Sequence, residues 1–188
     1  MDFETIFNEQ KALAEQGKPE SQYILGLMYY KGKGVEKNYQ EAFKWFKLAA
    51  EQGDSGAQYY LGSMYDNGDG LEQNDQEAVK WYRLAGKKGN AIAQYNLGVR
   101  YENGKDVVRN KPRAYMWYFL SAMAGDIYAK KARKKLGALL SSKEEAQAGL
   151  LIRIWESGYR GGVPSGRHAA EQAELLTKLW ESGYNRGD

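Results

Sequence analysis

The side chains able to do chemistry here are many in number and narrow in kind. The 188 residues hold no cysteine and a single histidine, His168, beside 24 Asp and Glu, 27 Lys and Arg and 15 Tyr. A thiol nucleophile, a thiolate metal site and a disulfide scaffold are excluded outright, and imidazole-based zinc sets lack their ligands. His168 follows Ser165-Gly166-Arg167 in the first turn of the last expected helix, so it reads as a solvent-facing side chain rather than a general base. An enzyme using carboxylate and tyrosine chemistry is kept as a further alternative, although no acid pair recurs in a setting that implies burial. Residues 66–74 (DNGDGLEQN) match a calcium loop only loosely, with Gly68 where an oxygen ligand is required. The glycines of 31–34 and 66–70 follow no strand, so they are turn glycines and not a dinucleotide cradle. The expected complement of cofactors and metals is none.

Lys130, Lys131, Arg133, Lys134 and Lys135 form the densest basic run, preceded by Lys87, Lys88, Arg109, Lys111 and Arg113. Consecutive helical positions point in different directions, so the run wraps its helix as a solvated surface. Contact with an anionic protein surface is the functional reading set against that, and nucleic acid is disfavoured because the formal charge is only +3. No apolar stretch approaches the ~20 residues of a membrane span, and Asp2, Glu4 and Glu9 are unlike the basic start of a signal peptide. As given, the chain reads as cytoplasmic, with a periplasmic or secreted location if a leader has been removed.

These side chains are positioned by a repeat. Gly17, Gly53, Gly89 and Gly125 stand 36 residues apart, as do Gly26, Gly62 and Gly98; Leu25, Leu61 and Leu97; Ala42, Ala78 and Ala114; and Trp45, Trp81 and Trp117. Such self-similarity marks stacked supersecondary units. Ala57, Leu61, Met64 and Tyr65 give the first helix of the second copy one apolar face, ended by Gly68. Gly62 beside that face costs about 1 kcal/mol of helix propensity against Ala, which implies close approach of a neighbouring helix. The second helix opens at Asn38, Asn74 or Asn110. Glu41 and Glu77, three residues on, predict a capping box in which the Glu returns to the cap backbone, and Pro112 fits the first turn of the third copy. Ala42, Trp45, Phe46 and Ala49, with Ala78, Trp81, Tyr82 and Ala85, are the expected buried stripe.

The period therefore predicts an all-α solenoid, a single domain over 1–188. It comprises an N-terminal capping helix at 1–16, full repeats at 17–52, 53–88 and 89–124, a degenerate fourth repeat at 125–160, and a linker with a C-terminal capping helix at 161–188. Phe3, Phe7 and Leu13 are placed to cover the first unit. The fourth loses its Leu and Tyr to Arg133 and Gly137, and Ser141 or Ser142, with Glu144 or Glu145, caps the helix that follows. Residues 146–162 and 171–187 align at an offset of 25, both carrying Trp-Glu-Ser-Gly-Tyr. That duplication reads as a cap, or as a homodimer contact through the C-terminal helices.

The segments ILGLMYYKGKGVEKNYQEAFKWFKLAAEQG (24–53), AQYYLGSMYDNGDGLEQNDQEAVKWYRLAGKKG (57–89) and AQYNLGVRYENGKDVVRNKPRAYMWYFLSAMAGD (93–126) resemble the Sel1-like repeat family, a relative of the tetratricopeptide repeat. The third copy departs at Asp106, where a second turn glycine is expected. The resemblance implies a right-handed α/α superhelical solenoid of Sel1-like helix pairs. It also implies a non-catalytic scaffold that binds a protein or peptide partner through its concave surface. The alternative under the same resemblance is an immunity or inhibitor protein neutralising a bacterial toxin or effector.

Positions that recur are accounted for by capping and packing, which leaves those that vary at equivalent places as candidate partner-binding residues. They are Ile24, Tyr60 and Asn96; Leu27, Ser63 and Val99; Met28, Met64 and Arg100; and Lys31, Asn67 and Asn103. Tyr60 and Arg100 are the expected anchors, as exposed aromatic and guanidinium groups. Met28 and Met64 fit the core stripe equally well.

Overall fold

A computed structural model describes residues 2–156, and every element among them is an α-helix. The helices are α1 (Phe3–Glu15), α2 (Pro19–Lys31), α3 (Tyr39–Glu51), α4 (Ser55–Asn67), α5 (Asp75–Lys87), α6 (Ala91–Asn103), α7 (Lys111–Met123), α8 (Ile127–Gly137) and α9 (Ser142–Glu156). Helices this short do not persist alone in water, so they depend on stacking. Each packs mainly on its chain neighbours, with one exception: α9 lies against α7. Nearest-neighbour contact of paired helices makes the array an α/α solenoid. His168, the 161–166 linker and the duplicated segment 171–187 lie outside the described residues, and no helix among those described is long and apolar enough to cross a membrane.

The turn within each pair is built the same way three times. Gly32, Gly68 and Gly104 end α2, α4 and α6 in the left-handed region, with φ of +66°, +74° and +71°. The next N–H returns to the carbonyl of Met28, Met64 or Arg100, closing the helix end. The N–H of Asn38, Asn74 and Asn110 then donates to the carbonyl of Tyr29, Tyr65 and Tyr101 at 2.9, 2.9 and 2.8 Å. Each Asn side chain caps the following helix through the N–H of Glu41, Glu77 or Arg113. With the Asn N–H already engaged, the expected return of Glu41 and Glu77 does not form; they pair with Lys44 and Lys80 instead. A reciprocal box is made at α9, where Ser141 and Glu144 exchange hydrogen bonds.

Gly26, Gly62 and Gly98 are where the two helices of a pair touch. A Cβ there would stand 2.6, 2.7 and 2.5 Å from the rings of Phe46, Tyr82 and Tyr118. Between pairs, a buried amide forms the joint: Gln22, Gln58 and Gln94 each donate to the carbonyl of Ala14, Ala50 or Gly86 at the end of the preceding helix. Met28 and Met64 are buried with Leu25, Leu61 and Leu97, which assigns them to the core. The stripe is uneven, however. Trp45 and Trp81 are half-buried while Trp117 is fully covered, because Trp155 of α9 packs edge-on at 5.4 Å. At the other end Phe7 covers Tyr29 at 5.5 Å, but Phe3 stays 57% exposed.

Candidate protein-interaction surface

The candidate residues lie on α2, α4 and α6, and helical spacing divides them by depth. Lys31, Asn67 and Asn103 stand exposed in the last turn of their helices, while Ile24, Asn96, Leu27, Ser63 and Val99 are half-buried. Asn67 donates to Ser63 and to Asp69, so two of the candidates meet directly. Tyr60 lies flat on Phe46, at 4.9 Å between centroids and 12° between planes, with Tyr23 and Tyr30 tilted against it. One face of that ring is therefore fixed from beneath, and burial raises the phenol's pKa.

Arg100 differs from expectation. It is 4% exposed, not a surface anchor, because three carboxylates draw it inward. Its guanidinium meets Asp66 at 2.5 Å, Asp106 at 2.8 Å and Asp75 at 3.7 Å, over the ring of Tyr82. Lys105 adds its ammonium 3.6 Å from Asp66 and 3.5 Å from Asp75. The planar fork of Arg suits several oxygens at once, which is what lets a long cation occupy a position held by Met in the other two copies. Burial pushes the Asp66 carboxyl up, but the Arg100 hydrogen bond and charge, helped by Lys105, hold it below the usual value. Asp106 sits at φ +58°, a backbone conformation the other copies fill with Gly34 and Gly70. Its side chain compensates by reaching Arg100.

A second recurring contact places carboxylates under tyrosine hydroxyls. Tyr82 donates to Asp66 at 3.2 Å and Tyr118 to Glu102 at 2.7 Å, equivalent positions in successive copies; Tyr30 donates to Asp69 at 2.7 Å. Burial first, and the acceptor carboxylate second, raise the phenol pKa values of Tyr82 and Tyr118. Of the carboxylates in the 66–74 segment, Asp66 is thus committed to Arg100 and Asp69 to Tyr30. No cluster suited to holding a metal occurs among the described residues.

The sequence reading missed Asp66, Asp75 and Lys105 as parts of this surface. A signal was present: Tyr30 and Tyr39 of the first copy become Asp66 and Asp75 in the second, facing the copy that introduces Arg100. Near the far end, a cleft of about 920 Å³ opens between Gly89, Phe119, Met123 and Trp155, and one of about 280 Å³ between Tyr115, Leu140, Ala148 and Ile152. Glu156 and Glu145 are their respective acids, so among the described residues neither lining holds a carboxylate pair.

Comparison with known proteins agrees with this architecture. The Sel1 repeat pattern matches residues 19–54, 55–90 and 91–126. A Sel1 repeat protein from Oxalobacter formigenes is similar at 36% identity over 68% of this chain and 96% of that one, with a TM-score of 0.63. Also similar is c5321, described as a protective antigen present in uropathogenic Escherichia coli strains and displaying an SLR fold. It is 28% identical, with a TM-score of 0.72, and aligns over all of this chain but only 45% of its own length. No curated protein sequence matches the chain. Three matched repeats, their turns and their stacked pairs establish that the chain belongs to the Sel1 repeat family, whose general role is that of a non-catalytic protein-interaction scaffold.

Proposed function

We propose that this chain binds a protein partner along its inner face, across the columns Leu27, Ser63, Val99 and Lys31, Asn67, Asn103, with Tyr60 as a supported aromatic anchor. What supports the reading is a division of labour between positions. The recurring ones are occupied in turns and core, whereas these columns reach the surface with side chains that change along the array: Leu27, Ser63 and Val99 differ in every unit, and Lys31 gives way to Asn67 and Asn103. Varied side chains on a fixed, rigid frame are how a solenoid acquires specificity. Arg100 enters this surface indirectly, by holding Asp66, on the same helix as Ser63 and Asn67. An inhibitor or immunity role is a specialised form of the same binding, and a co-purified toxin would identify it. Self-association through the duplicated tail, whose first copy begins in α9 and whose second lies outside the described residues, belongs to the same reading, as does a cytoplasmic setting; cell fractionation and mass in solution test these two.

The test of the surface is capture of the native partner by the full chain, repeated with Asn67→Arg and Asn103→Arg. Both side chains are exposed and cap nothing, so helical content is expected to stay constant while partner recovery falls at least about tenfold. Undiminished recovery would move the site off these columns.

A further inference from the structure

The helix α8 is unlike the three first helices before it. In the preceding units the second helix closes over the first: Tyr95 of α6 packs on Tyr118 of α7 at 5.7 Å, and Gly98 admits the same ring. Helix α9 does not repeat this, since its main contact is α7 rather than α8. Among the described residues, the face of α8 that a partner helix would cover is consequently open. Its residues have changed accordingly: Lys130, Lys131, Lys134 and Lys135 stand where α6 has Gln94, Tyr95, Gly98 and Val99. All four lysines are exposed, and at positions i, i+1, i+4 and i+5 they share one side of the helix, so the run does not wrap α8 as its consecutive residues suggest. Arg133, at the place of the buried Leu97, lies over the ring of Phe119 at 5.4 Å. The matched repeats end at residue 126, so nothing in the repeat itself demands this composition.

The surrounding acids do not neutralise the helix. Asp126 is committed to the N–H groups of Tyr128 and Ala129 at the helix start. Glu144 is held by Ser141 and lies 3.8 Å from Lys111, and Glu145 is exposed on the first turn of α9. The four lysines make no ion pair with a described carboxylate. Just before the lysines in the chain, large apolar side chains are left in water: Met123 at the end of α7, 71% exposed, and Ile127 and Tyr128 at the start of α8, 61% and 65% exposed.

We propose that the open face of α8 receives an acidic amphipathic helix of a protein partner, seated where each preceding unit seats its own second helix. Acidic side chains of the incoming helix meet Lys130, Lys131, Lys134 and Lys135, and its apolar stripe covers Met123, Ile127 and Tyr128. A phosphate backbone would use the lysines and gain nothing from the apolar residues, which favours a protein occupant over a nucleic acid. This surface is separate from the inner-face columns and does not depend on them.

The experiment uses the full chain and three fluorescent probes of equal length: an amphipathic Glu/Leu peptide, a Glu/Ser peptide without the apolar stripe, and a DNA duplex. Anisotropy is expected to show the Glu/Leu peptide binding about tenfold tighter than the Glu/Ser peptide, a difference that a few buried methylenes supply. Lys131→Glu with Lys134→Glu should abolish binding of both peptides. Ile127→Ser with Tyr128→Ser should remove only the advantage of the Glu/Leu peptide, and Lys44→Glu with Lys80→Glu should change nothing. All these positions are exposed, and circular dichroism verifies the fold of each variant. Equal binding of the two peptides, tighter binding of the duplex, or no binding would each overturn the proposal. So would protection of α8 amides in the free chain that disappears in Trp180→Asp, since the occupant would then be the chain's own tail.

Discussion

A buried guanidinium is stable only when the charge around it is balanced, and Arg100 is surrounded to that standard. Asp66, Asp75 and Asp106 supply the balance and Tyr82 the apolar floor. Replacing Arg100 with Met, the residue of the other two copies, leaves three carboxylates facing one another with only Lys105 among them. Denaturant unfolding at neutral pH is expected to show a loss of roughly 2–4 kcal/mol. The pH dependence has a definite sign. Asp66 is held below its ordinary value in the folded chain, so its contribution is present above the unfolded pKa and fades as pH falls through the folded one. Wild type and Arg100→Met should therefore converge in acid; a gap constant from about pH 7 to about pH 3 would show that the loss is packing alone. Asp106→Gly relieves a left-handed backbone while breaking one ion pair, so its own effect should be within about 1 kcal/mol of zero. A double-mutant cycle with Arg100→Met should return a coupling of about 1 kcal/mol. The sequence showed both departures from the repeat at Arg100 and Asp106, but not that they meet. A charged residue replacing Met reads as outward until the carboxylates of the preceding unit are seen to face it.

At the scale of elements, the repeat was legible wherever one residue type has a single physical use. Gly26, Gly62 and Gly98 recur at a cost in helix propensity, and the ring that presses on each is the reason. Gly98→Ala should lose about 1–3 kcal/mol, because Tyr118 is fully buried and its ring has nowhere to retreat. Gly149→Ala is the contrasting case. The nearest atom to its added Cβ is a flexible Arg153 nitrogen at 3.9 Å, so thermal unfolding should show a gain of about 0.5–1 kcal/mol. The capping boxes were only half legible. Spacing brings Glu41 and Glu77 within reach of Asn38 and Asn74, but it does not reveal that the Asn N–H has already been taken by a tyrosine carbonyl of the preceding helix. The amides Gln22, Gln58 and Gln94 were visible in the period and would have been found by asking why a polar residue should recur amid buried neighbours.

Over the whole molecule, stability is distributed along a line. Each pair of helices leans on the next, so a weakened unit is felt most by its neighbours. Hydrogen exchange in Gly62→Ala is expected to rise most in α4 and α5, less in α2, α3, α6 and α7, and least in α1 and α9; a uniform rise across all the helices would instead mean that the array opens as one body. The outline of stacked helix pairs could be read from the 36-residue period. The path of α9, which packs on α7 and not on α8, could not. Its packing is decided by Trp155 meeting Trp117, a contact between residues far apart in the chain that no periodicity encodes.

The turn within each pair, its Asn cap and its glutamine joint recur in all three full units, so by those parts alone the units could be dealt in any order. The Arg100 cluster removes that freedom. The third unit carries the cation, and the second alone carries its anions at the facing positions. Exchange the two, and Arg100 would follow Tyr30 and Tyr39, a buried charge left with Asp106 of its own unit and two phenol rings. The second and third units thus have a grammar as well as an alphabet: what each says depends on what stands before it.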